Sequence, residues 1–137
     1  MNSDKDLQTW LEGWLREIGA IAGTVHIHEN DGLRLAAAVN IPEKVQQIVA
    51  WVPSGKGMAG LALQRNGPIQ TCNLQDDRTG AVRPGAKAVD ARAGIALPIH
   101  DVSGATRAVV GAAFAEERDI PEEEISRITT AAGNFPL

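Results

Sequence analysis

Two apolar stretches, each folded back on itself by a tight turn, constrain this chain more than any other feature. Thr24-Val25-His26-Ile27-His28-Glu29 alternates and carries β-branched residues. Asn30-Asp31-Gly32 supplies a strong turn signal, and Leu33 to Val39 reads as the returning strand. Gly94 to Ile99 and Arg107 to Glu116 repeat the arrangement around a turn at Ser103-Gly104. Strands joined by tight turns pair antiparallel, whereas parallel neighbours need a long crossover. Ile69 to Leu74 reads as a further strand between the two hairpins.

Helical patterns surround these strands. Residues 5–22 read as a helix in which Leu7, Leu11, Trp14, Ile18 and Ile21 form one apolar seam. Ser3 or Asp4 can cap it, and Gly19 and Gly23 weaken its far end. The seam suits either the domain's own sheet or a second copy, and two heptads are too short to decide. Pro42 opens a short helix through Ile48. Val52-Pro53-Ser54-Gly55-Lys56-Gly57-Met58-Ala59-Gly60 turns into a helix near 58–65, which Asn66-Gly67-Pro68 ends. Residues 75–92 are polar and read as a long loop, a length that in compact domains often serves function. Pro121 and Glu122-Glu123-Glu124 start a last helix whose apolar face is Ile125, Ile128 and Ala132. The expectation is one α+β domain over residues 1–137. Its central antiparallel sheet carries the N- and C-terminal helices on one face, and short helices plus the long loop on the other.

Composition narrows the function classes. The 137 residues are 44% hydrophobic and 22% charged, an ordinary globular balance. The net charge of −4 comes with no basic cluster, which argues against nucleic acid as a partner. No apolar run approaches the roughly 20 residues of a membrane helix, and the polar N-terminus lacks a signal-peptide pattern. The single cysteine, Cys72, fits a reducing compartment, so a cytoplasmic location is expected.

The order of elements, with three particular segments, resembles the GAF domain family. The segments are Val52 to Ala62 with its Pro-x-Gly-x-Gly-x-x-Gly turn, Gly94-Ile95-Ala96-Leu97-Pro98-Ile99, and Val109-Val110-Gly111-Ala112-Ala113-Phe114. Within that family they look most like the free methionine-(R)-sulfoxide reductases. The resemblance implies cysteines at Ala59, at Val89 and at Val49 or Ala50, and this chain has none of them. Reduction of a sulfoxide needs an attacking thiolate and a resolving thiol. The resemblance also implies acids at Gly94, Phe114 and Glu116, of which Glu116 alone is acidic. The patterns of cyclic-nucleotide-binding and bilin-binding GAF domains are absent too.

The expected function is therefore a non-catalytic sensor or regulatory module, with no catalytic residue and no metal site assigned. The resemblance turns Thr24, His26 and His28 toward a ligand pocket, and Val25 and Ile27 toward the terminal helices. The pocket residues expected are Thr24, His26, Met58, Val89, Asp90, Arg92, Phe114 and Glu116. Arg92 is placed to close over an anionic ligand. His26 and His28 as a metal pair lack a third ligand nearby. No cofactor is assigned; a haem would have only His26 or His100 as an axial ligand. A small molecule, a homodimer through the terminal helices and an unidentified protein that reads the signal are the expected partners. Two other readings stand beside this one: a dimerisation scaffold with a vestigial pocket, and a reductase that uses Cys72.

Overall fold

The computed structural model describes residues 3–71 and 92–137. Cys72, Val89 and Asp90 lie outside the described residues, as does nearly all of the expected 75–92 loop.

Helix α1 spans Asp4–Ile18. Ser3 caps it through a reciprocal capping box, its hydroxyl accepting from the Asp6 amide while the Asp6 carboxylate accepts from the Ser3 amide. Gly19, at φ +79°, ends it in the left-handed conformation that an L side chain adopts only with strain. The helix thus stops four residues short of the expected 22, and Ile21 leaves the seam for the surface.

Strands β1 (Ala22–Glu29) and β2 (Gly32–Val39) form the first hairpin, and Asn30 takes positive φ in its turn. Helix α2 (Glu43–Ile48), strand β3 (Trp51–Pro53) and helix α3 (Gly57–Arg65) follow. Strand β4 (Ile69–Thr71), the second hairpin β5 (Gly94–His100) and β6 (Thr106–Ala113), helix α4 (Glu122–Ala131) and a 3₁₀ turn at Ala132–Asn134 complete the described chain. The six strands make one antiparallel sheet in the order β3-β2-β1-β6-β5-β4. The expected α+β class and antiparallel sheet are as read from the sequence. The three-residue strand β3 was not expected, because so short an edge leaves no period to read.

Strand alternation divides the sheet into two unequal faces. Val25, Ala108, Val110, Ala112 and Phe114 join Leu7, Leu11, Trp14, Leu15, Ile18 and Ile128 in one large core under α1 and α4. Trp10 stacks on Trp14 at 5.4 Å and meets Phe135 edge-on at 4.9 Å. The two indole N–H groups donate to Asn134 Oδ1 and to the Ile128 carbonyl. The seam of α1 is thus spent on its own sheet: Leu11 is fully buried and Ile18 only 5% exposed. The seam residues Leu7, Leu11, Trp14 and Ile18 therefore pack on the domain's own sheet, the first of the two uses the sequence left open for them.

The opposite face carries two smaller clusters. Leu33, Val52, Ala62, Ala96 and Val109 form one, and Ala22 and Val45 the other. Helix α3 covers this side, and Gly60 lets it come close: a Cβ there would lie 2.5 Å from the Pro53 carbonyl oxygen. Among the described residues no helix is long and apolar enough to cross a membrane.

Candidate functional site

The start of α3 faces the middle of the sheet across a gap. The chain leaves β3 through Ser54-Gly55-Lys56, with Gly55 and Gly57 both at positive φ, and enters α3 at Gly57. Lys56 occupies the N-cap without a side-chain cap bond, so the first-turn amides have no side-chain acceptor at that position. Beneath this turn the sheet presents small residues. Thr24, Ile41, Met58, Ala59, Gly94 and Gly111 are among the groups that line a cavity of about 130 Å³. Its walls are mostly apolar. The Thr24 hydroxyl faces Gly111, where an added Cβ would lie 3.0 Å from Thr24 Oγ1. Gly111 helps to keep this space open, because a side chain there would project toward Thr24. A cavity of about 150 Å³ holds a benzene-sized guest, so the described walls suit a ligand of that order.

His26 lies two residues from Thr24 on the same face of β1, and is 3% exposed. Its register neighbours are Leu35 on β2 and Val109 on β6. The β1–β2 register shifts between Val25 and His26, so that Ala36 on β2 is left out of the pairing. Such bulges redirect side chains and occur next to functional sites. His26 Nε2 lies 2.9 Å from the Val49 carbonyl oxygen. A carbonyl only accepts, so Nε2 carries the proton and donates. Nδ1 is then a bare acceptor, and it has no partner among the described residues. Burial pushes the imidazole below its ordinary pKa, against a smaller upward pull from the Val49 hydrogen bond, and favours the neutral ring.

The other expected site residues are distributed differently. Thr24 and Met58 line the cavity. Phe114 does not: it shares the parity of Val110 and Ala112, and its ring is buried with the terminal helices. There the Arg118 guanidinium lies 4.7 Å over the ring and pairs with Glu124 through two 2.6 Å hydrogen bonds. The placement of Phe114 in the pocket is therefore corrected, and strand alternation already contained the reason. Glu116 is exposed, and its backbone carbonyl accepts from the Ala93 amide. The Arg92 side chain is exposed, and its amide donates to the Phe114 carbonyl. Neither side chain is among those lining the cavity. His28 pairs through Nδ1 with the Thr106 carbonyl and lines a separate groove with Leu7, Arg34 and Phe135. His100 pairs with Asn66. Among the described residues no three His, Cys, Asp or Glu side chains gather as a metal site. Ile41 and the unsubstituted backbone at Gly111 were missed as site groups. The density of glycine and alanine along β5 and β6 was the available signal.

Comparison with known proteins agrees with this architecture. In fold the chain is similar to the type II free methionine-R-sulfoxide reductase of Thermoplasma acidophilum, with a TM-score of 0.70 at 14% identity over 93% of this chain and 85% of that one. It is similar to the nlh2 GAF domain of A. aeolicus, with a TM-score of 0.69 at 21% identity over 97% and 79% of the two chains. It is also similar to NreA of Staphylococcus aureus, solved with a mutated nitrate-binding site, with a TM-score of 0.70 at 15% identity over 91% and 99%. These identities speak for the fold alone. No curated protein matches the chain. Residues 7–135 match the GAF domain family, and the chain belongs to it.

Proposed function

We propose that this GAF domain is a non-catalytic sensory or regulatory module that binds a small molecule between the start of α3 and the centre of the sheet. The observation that carries the reading is the mostly apolar cavity of about 130 Å³ at Thr24, Met58 and Gly111, lined largely by small residues at the centre of the sheet. Of the positions where the reductases carry cysteine, the described ones hold Val49, Ala50 and Ala59, which supports a binding role over thiol chemistry. NreA, whose nitrate-binding site is named with its structure, supplies a precedent for a small ligand on this fold. Occupation of the cavity acts on β5 and β6, whose other face packs against α1 and α4. A cytoplasmic protein partner would read the signal there.

Thermal unfolding against free methionine sulfoxide, cyclic nucleotides, haem and nitrate tests the reading. A true ligand at 100 times its Kd adds about 2.7 kcal/mol and raises the midpoint by several degrees. Ala59→Leu, which projects a branched side chain into the cavity, should abolish that shift while the domain stays folded. A shift that survives this substitution places binding elsewhere. No shift with any of these compounds would count against a pocket for them.

A further inference from the structure

His26 is a buried polar side chain with half of its hydrogen-bonding capacity unused. A buried acceptor left unpaired has lost its water without replacement, so such an atom calls for a donor. The described residues offer none. Nε2 is committed to Val49, and the β-sheet partners beside His26 are Leu35 and Val109. No charged side chain contributes to its shifted pKa.

The cavity opens on the same sheet face, although His26 itself does not line it. Thr24, two residues along β1, lines it, and so does Gly111, two residues along β6 from Val109. Met58 links the cavity to the clusters around it through its packing. It lines the cavity, packs against the cluster of Ala22 and Val45, and packs against the cluster that holds Val109 and borders Val49. Among the described residues it is the one side chain that does all three. Methionine is unbranched and re-packs readily.

We propose that His26 Nδ1 is the polar end of the ligand site, that Met58 is the movable divider between it and the cavity, and that the ligand is a small neutral molecule with an apolar body and one hydroxyl or N–H donor. This rests on the cavity being the binding site. The donor pairs with Nδ1, while Met58 moves aside and the body takes the space beside Thr24 and Gly111. The Val49 bond holds the ring tautomer so that Nδ1 stays an acceptor.

Phenol and toluene form a matched pair of probes, alike in body and different in the donor. Titrations of the ¹⁵N-labelled protein would follow the His26 imidazole nitrogens together with the Thr24, Met58 and Gly111 amides. The expected result is a saturable change at Nδ1 with phenol and not with toluene, and a preference for phenol of about five- to tenfold, the size of one hydrogen bond. An apolar cavity without an acceptor prefers toluene, because it would bury an unpaired hydroxyl. His26→Phe should reverse the preference; if that variant does not fold, the wild-type nitrogen signals decide alone. Amide changes with both probes but none at Nδ1 overturn the proposal and leave the cavity reading standing. An Nδ1 already hydrogen-bonded in the free protein and unmoved by phenol shows a resident water and overturns it too. No change anywhere sinks both readings.

Discussion

The two faces of the sheet are built to opposite rules. Under α1 and α4 the chain spends its bulk: Leu, Ile, Trp and Phe side chains interlock, and polar groups there find partners. The Gln8 amide closes on both backbone groups of Ala38, and both indoles donate. Under α3 the chain spends little. Around the cavity glycine and alanine dominate, Thr24 makes no side-chain hydrogen bond with a described residue, α3 lacks a side-chain cap, and His26 Nδ1 has no partner among the described residues. Packed interiors lose stability for every missing methylene, so space and unpaired acceptors persist where something else is to fill them. One face holds the domain together, and the other is left to be completed.

The largest expected effect lies on the filled face. Leu11→Ala should cost about 3 kcal/mol, because a fully buried leucine leaves a cavity that rigid neighbours cannot close. Met58→Ala on the open face should cost only about 1 kcal/mol, since the residue is half-buried beside existing space. Urea unfolding of both variants compares them directly; equal losses would break the distinction between the faces.

An intermediate effect comes from pH. The His26 pKa is lowered by folding from an ordinary value near 6.5. The unfolded chain therefore takes up a proton first as pH falls. The stability held by neutral His26 is complete above about 6.5, and declines as pH drops from there toward the folded value. Unfolding free energies measured between pH 7 and 5 should show this slope in the wild type and a shallower one in His26→Phe.

The smallest effect concerns a satellite of the filled face. Arg118→Ala removes the two hydrogen bonds to Glu124 and the contact over Phe114. The pair is partly exposed, so about 1 kcal/mol is expected from denaturant unfolding. Glu124 is held below its ordinary pKa chiefly by the Arg118 hydrogen bonds, so the pair's contribution is present above that range and fades as pH falls through the folded value.

The fold was legible because its signals are periodic. The two hairpins, the α1 seam and the glycine turn before α3 each repeat or punctuate in ways a single chain displays. The end of α1 was misjudged because Ile21 continues the seam's spacing even after Gly19 breaks the helix. The site was legible only in part. Of the expected pocket residues, Thr24 and Met58 line the cavity, and His26 shares the Thr24 face of β1, as alternation requires. Phe114 was misplaced because the family resemblance was followed where the period of two pointed to the other face. Ile41 and Gly111 were missed because a cavity is defined by what side chains leave empty. A glycine that keeps space reads in sequence like one that makes a turn.

A crystal structure under xenon pressure tests the division between the faces most directly. Xenon enters apolar cavities of this size without needing a specific polar contact. The account predicts xenon density between Thr24, Met58 and Gly111, and none among Leu11, Trp14 and Ile128. An unoccupied, filled α3 face, or xenon on the terminal-helix face alone, would contradict it.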